Sequence, residues 1–169
     1  MKAASFHAIA DALTQANVRF ILVGGLAVIA QGYLRVTRDA DIVIELVSEN
    51  ILQAFEALEQ IGYRPTVPIT ARQFSDELLR RQWRKDKHMQ VLQFWSDAHP
   101  DTKLDIFIDH PFDFQTEWEA AKREPTGPNA TEIRIASIPA LIAMKEVAGR
   151  PQDLIDIEYL RKIQDDPQP

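Results

Sequence analysis

Apolar positions along the chain follow two rhythms, one of period two and one near 3.6, with glycines and prolines at the changes between them. Ser5 to Gln15 places Phe6, Ile9, Ala10 and Leu13 on one helical face, and Ala16-Asn17 is a turn. Phe20 to Val23 is a short strand stopped by Gly24-Gly25, and Leu26 to Gln31 is a helix of two turns that Gly32 ends. Asp39 to Ile44 alternates as a second strand. Ser48 is the expected N-cap of a helix whose stripe is Ile51, Phe55, Leu58 and Ile61 and whose stop is Gly62. Prolines keep Tyr63 to Pro68 extended. Ala71 to Arg81 is expected as a helix with Phe74 and Leu78 inward. Met89 to Trp95 and Lys103 to Ile108 read as a hairpin with an irregular connection through Pro100. Thr131 to Ala136 is one more strand. Ser137 caps the next helix, with Pro139 in its first turn and Gly149 at its end. Arg150-Pro151 then opens a last helix with Leu154, Ile157, Leu160 and Ile163 inward, and Gln164 to Pro169 is expected to be a disordered polar tail.

Strands mixed with helices in this order predict an α/β fold, a small mixed, twisted sheet flanked by helices. Residues 1–136 are the expected core, 137–163 a C-terminal helical pair of the same domain, and 164–169 the tail. A chain of 169 residues with 46% hydrophobic positions can bury a real core. It has no cysteine, which removes disulfides, thiolate metal sites and a cysteine nucleophile. No apolar run approaches a bilayer span and no N-terminal apolar segment suggests export, so a cytoplasmic protein with no membrane role is expected.

Nineteen Lys and Arg against 25 Asp and Glu leave a net charge of −6, which argues against tight nonspecific binding to a nucleic-acid backbone. One run departs from that balance: Arg80, Arg81, Arg84, Lys85, Lys87 and His88. It reads first as a solvated, charged connection, with a contact for a polyanionic acceptor or a triphosphate as the alternative. His7, His88, His99 and His110 lack metal-ligand spacing and lie near no serine elbow, so each is expected at the surface.

The chemistry concentrates in three carboxylates. Period two puts Asp39 and Asp41 on one face of their strand and Ala40 and Ile42 on the other. Two carboxylates so close repel and need a partner. A hard divalent cation, Mg²⁺ or Mn²⁺, is a natural one, although Asp-x-Asp alone also suits a solvated strand edge. Gly24-Gly25 upstream lets the backbone turn sharply beside a helix N-terminus, a place that suits a phosphate. Asp105 stands mid-strand on the face opposite Leu104, Ile106 and Ile108, where a carboxylate is out of place without a task. Asp109, nearer the strand end, reads as a turn residue. In the helix after Ser137, the arc of Ile138, Leu141, Ile142, Met144 and Ala148 has Lys145 near its middle. Such a lysine pairs with a buried carboxylate (Asp153 or Asp156 on the next helix), snorkels, or faces a polar ligand.

Gly24-Gly25 followed by Thr37-Arg38-Asp39-Ala40-Asp41-Ile42 resembles the signature of the DNA polymerase β-like nucleotidyltransferase superfamily. The third carboxylate Asp105 and the run Ser137 to Leu160 extend that likeness over most of the chain. The small bacterial branch related to abortive-infection toxins is the most similar. The resemblance implies a nucleotidyltransferase that moves a nucleoside monophosphate from a nucleoside triphosphate such as ATP to an acceptor hydroxyl. It implies Asp39, Asp41 and Asp105 as metal-binding catalytic residues, with Mg²⁺ or Mn²⁺. Gly24, Gly25, Thr37, Arg38 and Lys145 are the implied nucleotide-binding residues, and the C-terminal helices would close the cleft. The acceptor could be RNA, a protein or a small molecule, and the partner a cognate toxin or antitoxin. The three carboxyl groups are then expected to converge within a cleft.

Other uses of Asp-x-Asp fit less well. A haloacid dehalogenase-type phosphatase leaves the glycine pair unexplained, and a sugar-nucleotide transferase normally needs a longer chain. A nucleotide- or partner-binding module of the same fold without turnover, as on the antitoxin side of a toxin–antitoxin pair, stays as the alternative.

Overall fold

The computed structural model describes residues 2–165. In chain order these form α1 (Ala3–Gln15), β1 (Phe20–Val23), α2 (Gly24–Ala30), β2 (Asp39–Ile44) and α3 (Ser48–Gln60). Then come β3 (Arg64–Pro65), α4 (Ala71–Ser75), α5 (Glu77–Lys87), β4 (Val91–Trp95) and β5 (Lys103–Phe107). The last elements are α6 (Phe114–Ala120), β6 (Lys122–Thr126), β7 (Thr131–Ile135), α7 (Ile138–Ala148) and α8 (Pro151–Asp165). The strands make one mixed, twisted sheet in the order β3-β4-β5-β2-β1-β7-β6. β1 runs antiparallel to β2 and parallel to β7, and β2 runs parallel to β5. This is the mixed α/β architecture that the pattern of elements predicts.

Burial explains the order. All four residues of β1 are buried, as a central strand covered on both faces requires. Ala40, Ile42 and Ile44 of β2 and Leu104 and Ile106 of β5 are fully buried and share the core with Ile9, Leu13, Ile51 and Leu58 of α1 and α3. Alternation then leaves Asp39, Asp41 and Asp105 on the opposite face of the sheet. Neighbouring elements pack there too: α2 lies against β2, and α7 against α2 and α8.

Several local expectations are corrected. The two glycines are not a separate turn: α2 begins at Gly24, with Gly24 itself at φ +65°. Val47, not Ser48, is the N-cap of α3, and no side chain caps it. The helix foreseen over Ala71 to Arg81 is two helices. Asp76 breaks it and caps α5, accepting from the backbone N–H groups of Leu78 and Leu79. The basic run is therefore a helix, not a connection. Phe74 is buried as expected, but Leu78 is 75% exposed. On the C-terminal helices Ile157 and Leu160 are buried, whereas Leu154 and Ala148 face outward. Helix α8 extends through Gln164 and Asp165, so those two are not tail. The remainder of the expected tail, 166–169, lies outside the described residues.

The stretch 112–130 carries α6 and β6, which the sequence pattern did not suggest. Strand β6 reads Lys-Arg-Glu-Pro-Thr, an edge strand with no apolar alternation, and is held by its pairing with β7. His7, His99 and His110 are partly covered, not free at the surface. His99 hydrogen-bonds Ser5 Oγ through Nδ1 at 3.0 Å, and His110 meets the Ile44 carbonyl through Nε2 at 3.0 Å.

Candidate active site

The register of the sheet brings the three sequence-predicted carboxylates side by side. Asp41 of β2 is paired with Asp105 of β5, and Asp39 lies two residues earlier on the same face, opposite Lys103. In-register neighbours on parallel strands point to the same face, so three negative side chains line one strip of sheet. All three are half-buried. Burial pushes the Asp41 carboxyl up to about 6, and the charges of Asp105 and Asp39 add to the rise. Lys145 and a hydrogen bond from the Gly25 backbone N–H pull the other way. Asp105 is also raised, first by burial and then by Asp39, against a hydrogen bond that Gln93 Nε2 donates at 3.0 Å.

Adjacency is found, but a tight cluster is not. Among the described residues no three His, Cys, Asp or Glu side chains stand together as a metal cage. Like charges on one face repel, which is reason enough for neighbours in register to stay apart. The donor set still fits a hard divalent cation: it is all carboxylate oxygen, and its like charges and burial disfavour ionisation until a positive charge arrives. Asp39, Asp41 and Asp105 are the residues that would hold one.

The glycine pair is explained by its contacts. A Cβ on Gly24 would fall 2.6 Å from Asp41 Cγ, inside the carboxylate itself. A Cβ on Gly25 would lie 2.6 Å from Arg35 Nη2 and 2.7 Å from Thr37 Oγ1. The glycines thus allow Asp41, Arg35 and Thr37 to press against the start of α2, and the Gly25 N–H is spent on Asp41. Thr37 Oγ also donates to the Asp39 carbonyl at 3.4 Å, whereas Arg38 is exposed.

Lys145 is buried on α7, and its partners are on α8. Its Nζ lies 2.8 Å from Asp153 Oδ1 and 2.7 Å from Asp156 Oδ2. Arg35 Nη1 forms a further ion pair with Asp156, which also accepts from Gln152 Nε2 at 3.1 Å. Burial alone would raise the Asp156 carboxyl, but the hydrogen bonds from Lys145, Gln152 and Arg35 outweigh it and hold it below the usual carboxylate range. The contacts drawn are thus those of the ion-pair reading of Lys145, in a position from which its charge still reaches Asp41.

Arg35 is the site residue that sequence reasoning missed. Its Nε is the one buried side-chain polar atom without a partner among the described residues. The available signal was the alternation Tyr33-Leu34-Arg35-Val36-Thr37, but it runs opposite to the usual rule. Leu34 and Val36 are 86% and 89% exposed, while Arg35 and Thr37 turn inward.

A glycine-initiated helix stands beside an Asp-x-Asp strand, with a third aspartate in register on the adjoining parallel strand, the arrangement that the resemblance to nucleotidyltransferases implies. The sequence agrees with the geometry: a family model described as nucleotidyl transferase AbiEii toxin, Type IV TA system, matches residues 8–169. The chain belongs to that family and is a nucleotidyltransferase. No curated protein matches the sequence significantly.

Solved structures share the fold. The lincosamide antibiotic adenylyltransferase LnuA, with lincomycin bound, superposes at a TM-score of 0.63 and 18% identity, over 96% of this chain and 98% of that one. The antibiotic-resistance factor ANT(2'')-Ia does so at 0.57 and 18%, over 94% and 80%. An antigenic nucleotidyltransferase-like protein from Paracoccidioides brasiliensis gives 0.50 and 16%, over 89% and 71%. Among the described residues no helix is long and apolar enough to cross a membrane.

Proposed function

We propose that this protein transfers a nucleoside monophosphate from a nucleoside triphosphate to an acceptor hydroxyl, with Asp39, Asp41 and Asp105 as the catalytic carboxylates. The observation that carries this reading is the register of Asp41 against Asp105, which gathers three carboxylates on one face beside the glycine start of α2. In the reaction the acceptor oxygen bonds to the α-phosphorus, the bond from that phosphorus to the bridging oxygen breaks in line, and pyrophosphate leaves. The acceptor hydroxyl loses its proton to solvent or to a carboxylate. Bound Mg²⁺ or Mn²⁺ would neutralise the triphosphate and make the acceptor hydroxyl more acidic.

The chain's own residues supply position and charge. Asp39 and Asp41 would hold the ion that accompanies the triphosphate, and together with Asp105 they would hold the ion on the acceptor side. The start of α2 gives close approach to the phosphates, together with Gly24, Gly25 and Thr37. Lys145 contributes positive charge to the same site, and Arg38, exposed at the loop end, is the weakest of the nucleotide contacts. The family description also supports a toxin–antitoxin setting, with a cognate antitoxin as the protein partner. A cytoplasmic location fits such a system.

The test is incubation with each α-labelled nucleoside triphosphate and Mg²⁺, with bulk RNA, protein or small-molecule extract as acceptor. Label should pass to one acceptor class, stop with EDTA, and fall by at least about a hundredfold in Asp41→Asn, the scale of a lost charge-stabilising group. Tight triphosphate binding with no transfer to any acceptor would favour the binding-module alternative.

A further inference from the structure

The basic run of the sequence has no task in the reaction just described, yet it builds one wall of a cavity of about 790 Å³. That is the size range of small-molecule sites. From α5 come Arg80, Arg81, Arg84 and Lys85, with His88 at its C-cap, and the facing wall is Leu46 with Ile108, Asp109 and His110, just beyond the ends of β2 and β5. Four full positive charges face only two negative ones, Glu77 and Asp109, an excess of two in a chain whose net charge is −6.

Arg80 is only 7% exposed, and its one side-chain hydrogen bond among the described residues is donated by Nη1 to the Phe74 carbonyl at 2.5 Å. Neither Arg80 nor Lys85 has an ion-pair partner among the described residues. Arg84 pairs with Asp109, and Arg81 pairs with Glu77, but all four of these side chains are more than half exposed. Such pairs are weak and easily exchanged for a better anion.

Position links the cavity to the carboxylates. Asp105 lies mid-strand in β5 and Asp109 in the bend two residues past its end, so the stretch between them spans at most about 14 Å. We propose that the cavity beneath α5 is a subsite for a terminal phosphate monoester, which anchors the acceptor while its hydroxyl reaches Asp105. An excess of two positive charges suits a dianion, and guanidinium forks one helical turn apart, as in Arg80 and Arg84, suit its tetrahedral oxygens. The role as acceptor anchor rests on the nucleotidyl-transfer reading, but the binding site does not.

The experiment therefore measures binding with EDTA present and without nucleotide. Amide NMR spectra of the full chain are recorded during titration with ribose 5-phosphate, and separately with short oligoribonucleotides bearing a 5′-phosphate or a 5′-hydroxyl. Saturable shifts centred on 80–88 and 108–110 are expected, weakened about tenfold in Arg84→Ala/Lys85→Ala, the loss of roughly one charge-assisted contact. Both substitutions are on exposed positions, so the fold is retained.

Saturation by ribose 5-phosphate identifies a small phosphorylated acceptor, and saturation only by the 5′-phosphorylated oligomer identifies a nucleic-acid end. Either outcome supports the subsite. Equal binding of the 5′-hydroxyl oligomer, shifts centred on Gly24, Gly25 and Asp41, unchanged affinity in the double variant, or no saturation at tens of millimolar would overturn it. If the subsite fails while label transfer succeeds, the catalytic reading stands. If transfer fails while the phosphate still binds, the subsite stands without its catalytic role.

Discussion

Asp41 is the residue at which charge and burial meet most sharply. The folded carboxyl keeps its proton to about pH 6, whereas an unfolded aspartate loses its proton near about pH 4. Between those values the folded chain binds more protons than the unfolded one, so stability falls as pH rises and the full penalty is present above 6. Two units correspond to about 3 kcal/mol. Asp41→Asn should therefore leave metal-free stability nearly unchanged at pH 4 and raise it by about 1–3 kcal/mol at pH 8. Urea unfolding in EDTA at both pH values measures this, and no pH dependence of the difference would show that the charge is already compensated. Asp156 has the opposite sign. Its depressed carboxyl contributes stability above the usual carboxylate range, lost as pH falls through the folded value.

At the scale of elements, the contact between α7 and α8 is organised by Lys145 with Asp153 and Asp156, and by Arg35 reaching across from the loop before β2. Breaking a buried pair by removing one partner strands the other charge, and the usual cost is about 3–5 kcal/mol. Lys145→Ala should lower stability by that amount, measured by chemical or thermal unfolding. It should also move the Asp41 titration upward, because the lysine charge now pulls it down. A structural pair alone would show these two effects and no more. A fall in triphosphate affinity beyond what unfolding explains would show that the lysine serves the nucleotide as well. A mutant that melts like wild type with its nucleotide affinity lost would leave the ion pairs with α8 incidental.

Across the whole molecule, the site needs two strands far apart in sequence and a loop, all held by the core. A ligand that binds only this assembled state stabilises it by mass action. Mg²⁺ or Mn²⁺ should thus raise the melting temperature much more together with a nucleoside triphosphate than alone. The double variant Asp39→Asn/Asp41→Asn should lose that synergy. An equal shift in wild type and variant would place the nucleotide elsewhere.

Local chemistry determined much of this protein in advance. The short apolar run of β1, the alternation of β2 and β5, the caps at Ser137 and Gly149, and the Asp-x-Asp pair were legible because neighbours a few residues apart fix them. The alternation around Asp105 marked it for the same reason. Tertiary structure decided the rest. Whether Asp105 stands beside Asp41 depends on parallel register between β2 and β5, strands separated by the whole of α3 to β4. Strand β6 exists only because β7 supplies its hydrogen bonds, so its own residues gave no signal. Arg35 turns inward because Asp156, 121 residues later, meets it there, while apolar Leu34 and Val36 are left outside. The basic run became a helix wall because Asp76 caps it and the ends of β2 and β5 face it. In each case the deciding partner is distant in sequence, and only packing brings it close.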